Sequence, residues 1–223
     1  MNKTFLALVG SPRPHSTSGY FAQYLVDGLA GRGWQARALT VCTAIRQASQ
    51  WPELEAAFVE ADAVAIVAPL YVDSVPAELM AALERLVKAR PGRPGRLFAV
   101  VNCGFVEALQ NDVALDIYRL FARDAGLHWT GGLAIGGGGM FGGKPLQEHG
   151  GKARHITAAF DETIAALDVG QDIPVSATSG IRRQAIPAWA YFAMANLSML
   201  MGAAKHGNLL KIGARPYRPK PRA

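Results

Sequence analysis

The sequence predicts an open, doubly wound α/β sheet of five parallel strands. Short apolar runs recur between residues 4 and 136, the pattern expected of strands in a parallel sheet. Segments of helical period separate them, as crossover helices would. No internal repeat competes with this reading.

The strands are expected at TFLALV (4–9), QARALTV (35–41), AVAIVA (63–68), RLFAVVN (96–102) and HWTGGLAIG (128–136), with helices between them. In the third helix Pro76 suits the first turn, and Leu79, Leu83, Leu86 and Val87 share one face. The fourth, about Asp112 to Ala125, repeats the pattern with Val113, Ile117, Leu120 and Phe121, and Gly126 stops it. The fifth, about Ala153 to Leu167, carries Ile156, Phe160, Ile164 and Leu167. The expectation is five strands and five helices in strict alternation.

With 223 residues, 50% of them hydrophobic, the chain can bury a sizeable core. A domain over 1–175 and an extension over 176–223 are expected. Cys42 and Cys103 stand far apart without a second pair, which excludes a disulfide framework or a zinc knuckle and fits a reducing cytoplasm. Met1 to Val9 is too short and too weakly apolar for a secretory signal. The net charge of +6 is unevenly placed: residues 176–223 hold eight Lys or Arg and no acid, leaving 15 bases against 17 acids before them. The basicity therefore belongs to the tail and is no nucleic-acid signal for the domain.

In a doubly wound sheet, ligands bind beyond the carboxyl ends of the strands, near the reversal of strand order. After strand one, GSPRPHSTS brings Ser11, Arg13, Ser16, Thr17 and Ser18 to the start of a helix, where hydroxyls, free N–H groups and the helix dipole favour a phosphate. The alternative is a serine N-cap with bystander hydroxyls. After strand three, PLYVDSVP holds the amides of Leu70 to Ser74 between two prolines, with Tyr71 able to lie against a flat ring. After strand four, NCGFVEALQN offers close approach at Gly104 and an aromatic face at Phe105. A phosphate loop beside two ring-contacting loops implies a phosphorylated aromatic cofactor.

GSPRPHSTS, APLYVDSVPAELMAALERL and NCGFVEALQN together resemble the NADPH-dependent FMN reductases of the flavodoxin-like superfamily, over about residues 1–168. The resemblance implies strand order 2-1-3-4-5, noncovalent FMN and a homodimer with the flavin near the subunit boundary. It assigns Ser11, Arg13, Ser16, Thr17 and Ser18 to the FMN phosphate. Pro69, Leu70, Tyr71, Val72, Asp73 and Ser74 fall to the isoalloxazine and ribityl chain, and Asn102, Gly104 and Phe105 to the other side of the ring. The cysteine cluster with which some relatives hold an iron–sulfur centre is missing.

The activity implied is a ping-pong oxidation of NADPH or NADH, with electrons passing through FMN to a quinone, flavin, azo or nitro compound or metal ion. No side chain stands out as a catalytic acid. A flavodoxin-type electron carrier, or a flavin-binding interaction module with a membrane-surface tail, is the rival reading.

GGGGMFGGKP (136–145) matches G-x-G-x-x-G and part of a Walker A pattern, but it follows the last strand and runs into Pro145. A lid over the flavin, closing with Met140 or Phe141, is the expectation there. His15, His128, His149, His155 and His206 show no paired ligand spacing, so no metal is expected. Ile186 to Ala204 is uncharged and is expected to form an apolar helix docked on the core or on a dimer partner rather than in a membrane. Arg182, Arg183, Arg215 and Arg218 are the candidates for attracting the NADPH 2′-phosphate, with a solvated basic end as the alternative.

Overall fold

The computed structural model describes residues 3–90, 92–142 and 144–214. Strands β1 (Thr4–Val9), β2 (Gln35–Thr40), β3 (Ala63–Pro69), β4 (Arg96–Asn102) and β5 (His128–Ile135) form one sheet in the order β2-β1-β3-β4-β5. Every pairing is parallel. This is the expected order, and the reversal falls between β1 and β3.

Period-2 alternation divides the strand residues between two cores. Leu6, Leu8, Val64, Ile66, Leu97 and Val101 point to one face. There they meet α2 (Val41–Arg46), α3 (Trp51–Glu60), α4 (Ala77–Leu86) and α5 (Asp112–Asp124). Phe5, Ala7, Val9, Val67, Phe98 and Val100 point to the other. There they meet α1 (Thr17–Ala30), α6 (Arg154–Asp168) and α7 (Val175–Gly180). Gly126, at φ 68°, ends α5 as expected, since a left-handed residue cannot continue a helix.

Strict alternation fails between β2 and β3, where two helices stand in place of one. Val41, expected to end the strand, opens α2 and is buried with Cys42 and Ala44. Pro52 then starts α3 afresh, because a proline is tolerated only in the first turn.

Contacts divide the chain into two units, one up to Ala185 and one from Ile186 onward. The first takes in Ala177 and Ile181, which are buried in its core. The second holds α8 (Ala188–Lys205), none of whose residues is buried. Among the described residues, no helix is long and apolar enough to cross a membrane.

Arg90, only 3% exposed, ties the α3 end of the first unit to the entry of β4. Its Nη1 donates to the carbonyls of Phe58 and Ala61, and its Nη2 to that of Pro94 at 3.0 Å. Its guanidinium lies 5.5 Å from the Phe58 ring centroid. Arg90→Ala is expected to cost about 2–4 kcal/mol, because three carbonyls lose their donor and a buried contact is emptied. An unfolding free energy from urea titration lowered by less than about 0.5 kcal/mol would show that these bonds add nothing.

Candidate functional site

The loops after β1, β3 and β4 meet in a cleft of about 360 Å³ at the carboxyl edge of the sheet. A hollow of similar volume, about 360 Å³, flanks the amino ends of β1 and β2, but it gathers no helix N-terminus. Ser11, Arg13, Ser16, Thr17 and Ser18 line the cleft, as do Pro69, Leu70, Tyr71, Asn102 and Gly104. No Asp or Glu is among its lining residues.

The hydroxyls of the first loop are unequally available. Ser16 is the N-cap of α1, and its Oγ accepts from the Gly19 N–H at 3.1 Å, which leaves its own hydrogen to give. Ser11 Oγ accepts from the Arg13 N–H at 3.3 Å. Thr17 Oγ1 donates to the Gly138 carbonyl at 3.3 Å. Ser18 is 1% exposed, and its Oγ donates to Asn102 Oδ1 at 2.8 Å. Its hydroxyl hydrogen is therefore committed to the protein, and what Ser18 retains for an anion is its backbone N–H at the head of α1. Arg13 is exposed and forms no salt bridge among the described residues, so its charge is uncompensated at the cleft.

The third-strand loop departs from the expected open array of amides. Tyr71 and Ser74 form an antiparallel bridge, each N–H donating to the other's carbonyl at 3.0 Å. The Leu70 N–H is taken by the Asn102 carbonyl at 2.8 Å. Val72 and Asp73 occupy the two-residue tip at φ 49° and 57°, as a type I′ turn requires. Val72, Asp73 and Ser74 consequently lie off the cleft, with Val72 98% exposed. Phe105, 54% exposed, also stands outside it, because its loop turns away after Gly104.

The glycine-rich segment is wall rather than lid. Gly138, Gly139 and Gly142 line the cleft, a contribution missed by the sequence reading. The Gly137 N–H donates to the Phe105 carbonyl at 2.5 Å and that of Gly138 to the Cys103 carbonyl at 2.7 Å. A Cβ on Gly136 would lie 2.1 Å from the Val106 carbonyl oxygen, so only glycine allows this approach. Phe141, expected to close on substrate, is 1% exposed and packs among Phe21, His149 and His155. The glycine run itself was the available signal, read as mobility where it served close contact. Cys103 lines the cleft at 3% exposure, and burial pushes its thiol up.

The family model for NADPH-dependent FMN reductases matches residues 4–149, a span that takes in all five strands and every residue lining the cleft. The chain belongs to this family. As an NADPH-dependent FMN reductase family member it is an oxidoreductase with a flavodoxin-like fold. Solved structures similar to it include an NADH:FMN oxidoreductase in its apo form, 19% identical with a TM-score of 0.59, covering 85% of this chain and 98% of that one. An NAD(P)H:quinone oxidoreductase from Methanothermobacter marburgensis is 16% identical with a TM-score of 0.52, covering 75% and 100%. The Trp repressor binding protein from Bacillus subtilis is 10% identical with a TM-score of 0.52, covering 71% and 96%. These likenesses establish the fold. A search of the curated proteins found no match.

The tip of the third-strand loop gives a direct test of local strain. A β-branched residue at positive φ costs about 1–2 kcal/mol, whereas Asn suits the first tip position of a type I′ turn. Val72→Asn is therefore expected to stabilise the protein by about 0.5–1 kcal/mol, read as a rise in thermal midpoint. An unchanged or lower midpoint would mean that the turn carries no such strain.

Proposed function

We propose that the protein is an FMN-dependent NAD(P)H oxidoreductase, passing two electrons from a reduced nicotinamide to a small acceptor. The observation that carries this reading is the acid-free cleft that joins an uncompensated Arg13 and the N-terminus of α1 to Tyr71. Its volume, about 360 Å³, lies in the range of cofactor sites.

The residues present fit FMN. Its phosphate would be held by Arg13, the free hydroxyl hydrogens of Ser11 and Ser16 and the N–H groups of Thr17 and Ser18. Thr17 Oγ1 and Ser18 Oγ act indirectly, fixing Gly138 and Asn102 in the wall. Pro69, Leu70 and Tyr71 would border the ring and ribityl chain on one side, and Asn102 and Gly104 on the other. The space that a Cβ on Gly104 would enter is open, as close approach by a flat ring requires. When bound, FMN would supply the redox chemistry, accepting hydride from the nicotinamide and releasing electrons to the acceptor. The side chains of the cleft position both partners and need transfer no proton themselves.

Quinones are the acceptor class we favour, in line with the activity named for the similar enzyme from Methanothermobacter marburgensis. Flavins, azo and nitro compounds and metal ions belong to the same reading, with NADPH or NADH as donor. The homodimer with the flavin near the subunit boundary, which the family resemblance implies, belongs to this reading. Two free, buried thiols support a cytoplasmic setting. The domain boundaries of this reading are a flavin domain, 1–175, and a basic extension, 176–223. Of the arginines considered for the 2′-phosphate of NADPH, Arg182 is paired with Asp112 at 2.6 Å, and Arg215 and Arg218 lie outside the described residues.

Riboflavin, which lacks the phosphate, isolates the first loop's contribution. Arg13→Ala is expected to weaken FMN about tenfold, or roughly 1.4 kcal/mol, while leaving riboflavin affinity unchanged. Equal affinity of the native protein for FMN and riboflavin would remove the phosphate site. The FMN-loaded protein should oxidise NADPH or NADH in the presence of a quinone. Flavin binding with no oxidation of either nucleotide would favour the electron-carrier reading.

A further inference from the structure

Helix α8 differs in kind from the helices of the first unit. From Ile186 to Ala204 the sequence carries no charge, and no residue of the helix is buried. Trp189 is 75% exposed, Met199 74% and Met201 65%, with Leu197 at 58%. At 3.6 residues per turn, Trp189, Phe192, Leu197, Met199, Leu200 and Met201 spread over about 200° of the circumference. One strip interrupts them, formed by Tyr191, Ala195, Ser198, Gly202 and Lys205 at spacings of four and three. Asn196 is the one polar side chain inside the apolar arc.

An arc this wide exceeds the stripe, about 100° across, with which a helix typically faces a protein core. A continuous apolar medium covers it without a second partner. The charge distribution names that medium. Lys205 closes the helix, Lys211 follows, and the exposed Leu209, Leu210 and Ile212 lie around it. Over 176–223 there are eight cations and no acid, whereas the preceding residues hold 15 bases against 17 acids. Arg183 precedes the helix in sequence, so cations flank the uncharged stretch on both sides. Eighteen residues rise about 27 Å, and the helix is not apolar enough to cross a bilayer. Both termini can therefore stay at headgroup level while the apolar arc enters the acyl boundary.

We propose that α8 and the basic residues after it form a membrane-surface anchor for bilayers containing anionic phospholipid, lying in the plane of the interface. Apolar burial supplies one part of the binding and cation–headgroup attraction the other, the two signals that a stable peripheral anchor requires. The Tyr191 to Lys205 strip faces water, and Lys205 and Lys211 reach the headgroups from apolar stems.

The test uses the full-length, FMN-loaded protein in flotation assays with phosphatidylcholine vesicles, with and without 30% phosphatidylglycerol. Binding to the anionic vesicles should exceed that to the neutral ones at least tenfold and fall as salt is raised. Leu197→Glu with Met201→Glu should abolish binding, and Lys205→Glu with Lys211→Glu should weaken it at least tenfold on anionic vesicles only. Circular dichroism and retained FMN show that each variant is folded. Absence of binding to both vesicle types overturns the proposal. So does equal binding to both, because charge would then play no part. Should the lipid-free protein sediment as a dimer that the Leu197→Glu, Met201→Glu variant converts to monomers, with no vesicle binding, the helix is covered by a second copy and the membrane reading fails.

Discussion

A parallel strand can reach its parallel neighbour only by crossing back over the sheet, and this constraint decides where everything else lies. All five strands point the same way, so the chain leaves each at one edge. β1 has β2 on one side and β3 on the other, so the crossovers from β1 and β3 depart to opposite faces and leave a crevice between them. The loops at residues 10–16, 70–76 and 103–111 therefore converge, though each is sequence-distant from the others. Both faces of the sheet must also be covered, and alternation along each strand splits the core into two apolar layers.

Within that crevice, Asn102 binds three segments together. Its Oδ1 accepts from Ser18 at the head of α1, and its carbonyl accepts the Leu70 N–H at 2.8 Å. The next residue's carbonyl receives the Gly138 N–H. The Asn102 side chain is 7% exposed, where an unmade hydrogen bond is costly and a made one fixes geometry. The walls of the cleft are held by protein–protein bonds, so a ligand meets a preformed surface.

Strand positions and the three site loops were legible in the sequence, because most of the parallel strands leave short apolar runs and their loops must gather at one edge, whereas the sheet order came from the family resemblance alone. Two kinds of information were not. Which hydroxyls stay free depends on long-range partners: nothing local to Ser18 announces Asn102, 84 residues away. The two-residue tip at Val72 and Asp73 was equally hidden, because neither its first residue, a β-branched valine, nor the prolines nearby signal a positive-φ turn. The glycines from 136 to 142 were visible yet misread. Flexibility and close approach favour the same residue, and only the position of Val106 and Asn102 against them distinguishes the two.

The two cysteines set a different property, the chemical durability of the folded chain. Cys42 is 2% exposed and Cys103 3%, and burial raises the pKa of both thiols. Thiol chemistry proceeds through the thiolate, so both sulfurs are shielded by access and by protonation at neutral pH. Oxidants and alkylating reagents then reach them chiefly when the surrounding loops open, at rates governed by the opening equilibrium. Cys103 reports on the cleft wall and Cys42 on α2, so their modification rates constitute an internal gauge of local unfolding at two separate places in one domain.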